Sequence, residues 1–282
     1  MEFSITNSKT DLEVIKATAD ALKPYLAELR AAYEHDGYEK AECSIRLPAD
    51  GTYRAAIREA VAAKKASELA YVIVAGIGGS SLGPKAVYDA VFGYDDALAP
   101  ARRPKLVFLE NIDPEAIGVL AARLKDEGIE TRQVVVLLVS KSGNTTESLA
   151  NFEILIKSLP YAAEELSSRM LFITDRDSSL WQAGEEKGIA VVEIPKNVGG
   201  RFSVFSAVGL VPLELAGIST EPLIKSAQSM IERCLSEDST VNPALQAAAV
   251  FYRHYQAGKN INEAFIFDPR LESLGKWYRQ LV

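Results

Sequence analysis

The sequence predicts an α/β fold: a doubly wound five-stranded parallel sheet flanked by helices, followed by the start of a second α/β domain. Three observations carry that prediction. Short β-rich runs recur that are apolar at nearly every position, as strands buried on both faces require. Helical spacing of apolar residues separates consecutive runs, and such alternation calls for parallel crossovers. Glycine-rich and hydroxyl-rich junctions follow the first and third runs, at the carboxyl ends where open α/β sheets bind ligands.

Element by element, residues 10–36 show helical spacing interrupted at Pro24, and a second helical stretch runs from Thr52 to Leu69. The five strands are Tyr71–Ala75, Lys105–Leu109, Gln133–Val139, Met170–Thr174 and Ala190–Ile194. Helical patterns near 82–92, 114–126, 144–158 and 178–188 lie between them. After Pro195 the pattern turns helical over Ser203–Ala216, Glu221–Leu235 and Asn242–Gln256, the last stopped by Gly258. Glu263–Phe267 then reads as a strand, followed by Asp268-Pro269 and a helical start from Leu271. The expected division is an N-terminal helical segment over 1–50, an α/β domain with ligand loops over 51–216, and a helical connection opening an incomplete second domain over 217–282.

Composition narrows the function classes. With 282 residues, 48% of them hydrophobic, the chain can bury a sizeable core. Net charge is −7 with the signs interspersed, so no basic footprint for nucleic acid or acidic membranes is present. No apolar run approaches the roughly 20 residues of a membrane span, and the N-terminus lacks a basic region followed by an apolar one. Cys43 and Cys234 are the only cysteines and lie far apart, which argues against a disulfide framework or a thiolate metal site. The expectation is a reduced, soluble, cytoplasmic protein. An anionic ligand would have to be held by local devices: backbone amides, hydroxyls and a few cations.

Three segments supply such devices. Ala75-Gly-Ile-Gly-Gly-Ser-Ser-Leu-Gly83 follows the first strand. Its glycines let the backbone approach a ligand, and Gly79, Ser80 and Ser81 offer amides and hydroxyls near a helix start. It also resembles a dinucleotide fingerprint with Ser81 where the last glycine belongs, and Glu110 could act as the ribose-binding acid. A tight strand–helix turn is the plainer alternative. A phosphate-binding loop of the Walker type fits less well, because Pro84-Lys85 follows Gly83.

Ser140-Lys-Ser-Gly-Asn-Thr-Thr-Glu147 follows the third strand. Ser140, Lys141, Ser142, Gly143, Asn144 and Thr145 together make a phosphate cradle of helix-end amides, hydroxyls and one point charge. Helix capping by Asn144 or Thr145 accounts for one or two of these groups, not for the set. The third segment is Asn197-Val-Gly-Gly-Arg-Phe-Ser-Val-Phe-Ser-Ala-Val-Gly209. Arg201 beside a glycine pair can hold a permanent cation against a developing oxyanion. A surface arginine with Ser203 capping the next helix is the alternative.

Together and in this order, the segments resemble the glucose-6-phosphate isomerase family of two-domain sugar-isomerase folds. Val-Gly-Gly-Arg201-Phe-Ser-Val-Phe-Ser-Ala is similar to the signature around that family's active-site arginine. Leu271-Glu-Ser-Leu-Gly-Lys-Trp-Tyr-Arg-Gln280-Leu-Val resembles the stretch leading into its catalytic glutamate. The resemblance implies that Ser140, Lys141, Ser142 and Thr145 hold the phosphate, with Ser80 lining the same pocket. It implies that Arg201 steadies an enediol-like intermediate and that Gln280 contacts substrate. It implies interconversion of glucose 6-phosphate and fructose 6-phosphate in glycolysis and gluconeogenesis, by a homodimer in the full-length protein.

The base glutamate is then expected two residues beyond Val282, with a ring-opening histidine and a lysine later still, so the chain is expected to be part of a longer one. Neither His35 nor His254 sits in a matching motif. Aldose–ketose conversion moves a proton and no hydride, so no nicotinamide is required, and no metal constellation is visible; no cofactor is expected. A non-catalytic sugar-phosphate-binding module is the competing function, and a nicotinamide-dependent dehydrogenase a more distant one.

Overall fold

The computed structural model describes residues 3–93, 96–99 and 101–282. The helices in chain order are α1 (Leu12–Glu34), α2 (Gly51–Lys64), α3 (Leu82–Phe92), α4 (Pro114–Asp126), α5 (Thr146–Ser158), α6 (Ala163–Ser167), α7 (Ser179–Lys187), α8 (Ala207–Leu215), α9 (Glu221–Cys234), α10 (Pro243–Gln256) and α11 (Glu272–Leu281). The strands are β1 (Tyr71–Ala75), β2 (Lys105–Leu109), β3 (Val134–Val139), β4 (Met170–Thr174) and β5 (Ala190–Glu193).

These elements form two compact units. One joins the described part up to Ala49 with Glu221–Phe265; the other joins Asp50–Thr220 with Ile266–Val282. The expected third segment, 217–282, is therefore divided. Its first part packs with the N-terminal residues, and its last part packs on the sheet unit, where α11 lies against α3.

The smaller unit is helical. Ala19 and Leu26 of α1 meet Leu235 and Leu245 in its core, and Arg30 Nη2 donates to the Leu235 carbonyl at 2.7 Å. Pro24 lies inside α1 and does not end it. The proline and Asp20, whose carbonyl loses its partner, are both exposed, so water replaces the missing bond.

The sheet unit is the expected doubly wound sheet. All strand pairs are parallel, in the order β2-β1-β3-β4-β5. Tyr71–Ala75 and Val134–Val139 are buried throughout, which is why these runs show no polar alternation. Ile73, Val136, Leu138 and Phe172 share one face with Leu120 and Leu124 of α4 and Leu155 of α5. Val72, Val74, Leu137 and Ile173 alternate with them onto the other face, on which α8 packs against β1 and α2 against β5. Tyr53 ties that layer together: its buried hydroxyl donates to the Glu193 carbonyl at 2.6 Å and accepts from Ala207 N at 3.1 Å. In this order the connections leave β1 in opposite directions, and the crevice opens at the β1/β3 carboxyl edge.

Two sequence expectations fail. Glu263–Phe267 forms no strand; Phe265 is 78% and Phe267 93% exposed. A strand exists only where a neighbour completes its ladder, and among the described residues none pairs with this run. The expected helix over Ser203–Ala216 starts later. Gly200–Phe205 is a 3-10 turn, and α8 is capped by Ser206, whose hydroxyl accepts from Val208 N, with Ser203 buried upstream of it.

Candidate active site

The β1 junction is built on a close backbone approach. After Ala75 the chain makes a 3-10 turn over Gly78–Ser80 and enters α3. A Cβ on Gly79 would lie 2.3 Å from the Gly200 carbonyl carbon and 2.7 Å from Arg201 N, so only glycine lets the two turns touch. Ser203 joins them as well: its hydroxyl lies 2.6 Å from the Gly200 carbonyl and 3.3 Å from that of Gly79. Ser81 does not face outward. It is fully buried, and its hydroxyl donates to the Gly78 carbonyl at 3.3 Å.

The β3 junction is built on hydroxyls. Ser140 is buried, and its Oγ pairs with Thr145 Oγ1 at 2.9 Å. Thr145 occupies the N-cap position of α5 without a side-chain cap bond, because its hydroxyl is turned to Ser140. Gly143 has φ 73°, and a Cβ there would meet Leu180 N and Ser178 Cβ at 2.9 Å, so the loop lies directly on the start of α7. Asn144 is exposed, and its Oδ1 accepts from Ser179 Oγ at 2.7 Å. Lys141 Nζ donates to the Val198 carbonyl at 2.8 Å. An ammonium has three donors, so others remain for a ligand. Burial lowers the Lys141 pKa, and the charge of Asp175 opposes that shift.

Between the two junctions lies an open cleft of about 450 Å³. Gly79 and Ser80 line it from the β1 side, and Lys141, Ser142 and Thr145 from the β3 side. Asp175, Asp177 and Ser178, after β4, and Lys196, after β5, also line it. Lys196 Nζ faces Asp177 Oδ2 at 3.4 Å. Sequence reasoning missed this last group. The signal for Asp175, Asp177 and Ser178 was present in Thr174-Asp-Arg-Asp-Ser-Ser-Leu180, a third polar strand-to-helix junction on the same sheet edge.

The remaining predicted residues lie around the cleft. Ser140 and Gly143 support the loop from beneath. The Arg201 side chain is exposed, 5.5 Å from the Phe202 ring, and is not part of the cleft wall. Helix α11 connects these parts. Trp277 Nε1 donates to the Arg201 carbonyl at 2.9 Å, and the Ser273 hydroxyl donates to the buried Asp89 carboxylate of α3. Gln280 then approaches the glycine turn, its Nε2 3.1 Å from where a Gly78 Cβ would stand. Its Oε1 is buried without a hydrogen-bond partner in the protein.

A doubly wound parallel sheet whose switch-point cleft joins a glycine turn to a hydroxyl-rich helix start defines an α/β protein suited to holding a small anion. The family model for phosphoglucose isomerase matches residues 55–282, and the chain belongs to that family. Over 215 residues it is 33% identical to glucose-6-phosphate isomerase of Methanocaldococcus jannaschii, covering 75% of this chain and 49% of that protein. Over 217 residues it is 36% identical to glucose-6-phosphate isomerase of Carboxydothermus hydrogenoformans, covering 75% and 46%.

Among solved structures, a hypothetical protein from Thermus thermophilus matches with a TM-score of 0.73 at 28% identity, over 96% of this chain and 62% of that one. A glucose-6-phosphate isomerase from Chlamydia trachomatis matches with a TM-score of 0.59 at 25% identity, over 85% and 42%. The chain spans about half the length of the curated relatives it matches. Among the described residues, no helix is long and apolar enough to cross a membrane.

Proposed function

We propose that this chain carries the sugar-phosphate-binding part of an aldose–ketose isomerase that interconverts glucose 6-phosphate and fructose 6-phosphate. The observation that carries the proposal is the meeting of Gly79 and Ser80 with Lys141, Ser142 and Thr145 in one switch-point cleft. Such a cleft suits a phosphate dianion: hydroxyl and amide donors converge on it, and Lys141 adds a charge.

Gripping the phosphate orients the rest of the sugar, which converts binding into positioning of C1 and C2. Isomerisation then removes the C2 proton of the open-chain aldose, forms a cis-enediol, and returns a proton to C1. Negative charge grows on the C1 oxygen in that step, and Arg201 is the group proposed to steady it. Gln280, with its buried acceptor unsatisfied, is proposed to take a donor from substrate. The base is the glutamate expected two residues beyond Val282. The active protein is proposed to be a cytoplasmic homodimer.

Titration calorimetry with fructose 6-phosphate and inorganic phosphate, together with an assay of glucose 6-phosphate formation, tests this reading. Saturable binding of both anions by the 282-residue chain, with negligible turnover, is expected. Binding of neither, or near-normal turnover by this chain alone, overturns the assignment of the site.

A further inference from the structure

We propose that Thr174 and Ser178 are positioning residues for the anion loop, acting through a one-way hydroxyl chain that ends on the Ser140 carbonyl. The inference rests on the reading of Ser140–Thr145 as the phosphate loop and adds two residues from a different strand and helix.

Thr174 ends β4 and is fully buried. Its Oγ1 lies 2.6 Å from the Ser140 carbonyl and 2.7 Å from Ser178 Oγ. A threonine hydroxyl has one proton, and a carbonyl can only accept. The Thr174 proton therefore goes to Ser140, and the Thr174–Ser178 contact can form only if Ser178 donates. Ser178 in turn accepts from Trp181 N at 3.1 Å, as the N-cap of α7. The direction is thus settled at every link: the α7 amide to Ser178, Ser178 to Thr174, Thr174 to the Ser140 carbonyl.

Two consequences follow. Ser178 lines the cleft, yet its only proton is already committed inward, so it offers an incoming anion no donor. Its role is to set the loop. The chain also works beside backbone bonds in the same place. Ser140 N donates to the Ile173 carbonyl and Asp175 N to the Lys141 carbonyl, each at 3.1 Å, while Gly143 N closes the turn onto Ser140 O. The Ser140 carbonyl thereby receives both the turn amide and the Thr174 hydroxyl, and the peptide plane that follows it carries Lys141 N. The orientation of that plane governs where the Lys141, Ser142 and Thr145 donors converge, and buried hydroxyl chains of this kind are fully satisfied only in one arrangement.

The experiment measures inorganic phosphate and fructose 6-phosphate affinity of the 282-residue chain by calorimetry, with thermal melts of each variant. Thr174→Val keeps the shape and removes the hydroxyl; it is expected to weaken both ligands by about 3- to 10-fold, the range of one net hydrogen bond. Thr174→Ser restores the donor and is expected to bind like the wild type even where its melting temperature is lower, which a packing role would not produce. Ser178→Ala is expected to weaken binding and, combined with Thr174→Val, to add little further loss.

Should Thr174→Val fail to fold, Thr174→Ser and Ser178→Ala decide by the same readout. Wild-type affinity in Thr174→Val, or equal losses in Thr174→Val and Thr174→Ser, overturns the inference while leaving the phosphate loop in place. Absence of binding by the wild type overturns the functional reading itself, and this inference with it.

Discussion

The junctions after β1 and β3 stand side by side on one sheet edge and reach an anion-suited wall by different means. Gly76–Ser81 depends on the absence of a side chain: Gly79 lets two backbones come together where its own Cβ would not fit. Ser140–Thr145 depends on side chains that are present, with hydroxyls of Ser140, Thr145, Thr174 and Ser178 paired beneath the loop. Steric exclusion tolerates no compromise, because backbone cannot swing away from an added atom. A hydrogen-bonded support degrades by degrees, since each lost bond leaves the others in place. The first junction is therefore brittle and the second graded.

The sharpest way to break the contrast is Gly79→Ala. The added Cβ meets backbone at 2.3 Å, so the two turns must part. A loss of ~3 kcal/mol in unfolding free energy is expected, together with loss of phosphate binding; urea denaturation and calorimetry measure both. Near-wild-type stability would show the β1 junction to be as yielding as its neighbour.

Arg201→Ala probes the chemistry beside that junction. In a chain that includes the proposed base, it is expected to lower kcat by roughly 100-fold with KM nearly unchanged, because the role proposed for it calls on its charge chiefly at the enediol stage. Steady-state kinetics with fructose 6-phosphate read the split.

Lys141→Ala, in the graded junction, is expected to weaken fructose 6-phosphate binding by about tenfold with little change in melting temperature. The smallest effect is on pH dependence. Burial lowers the Lys141 pKa below the ordinary 10.5, and Asp175 raises it. In the proposed site the charged form of Lys141 binds phosphate, so affinity is expected to fall as pH rises through the lowered pKa. Asp175→Asn should shift that loss to lower pH, and Lys141→Arg should remove it, as phosphate titrations across the alkaline range would show.

Much of this was legible in advance. The five strands stand within a residue or two of the runs that predict them, and for the inner strands β1, β3 and β4 continuous apolar composition is itself the condition for burial on both faces. The two junctions that line the cleft were legible from composition and from their place after the first and third strands. The third polar junction, after β4, was equally visible as Thr174-Asp-Arg-Asp-Ser but carried no glycine pair or lysine to mark it. Glu263–Phe267 misled because an apolar run is a local feature while a strand's ladder is not.

The sequence by itself determined the sheet and the order of its loops, because these follow from local periodicity and from residue types at fixed spacing, and it carried the motifs on which the family resemblance rests. Only the tertiary structure decided which of those polar residues face the cleft. Ser81 turns inward, Ser140 and Gly143 become supports, Asn144 meets Ser179, and Asp175 and Ser178 join the wall. The physical reason is that a hydroxyl's direction is set by whichever acceptor folding brings within about 3 Å. For Thr174 that acceptor is the Ser140 carbonyl, on a neighbouring strand and far away along the chain.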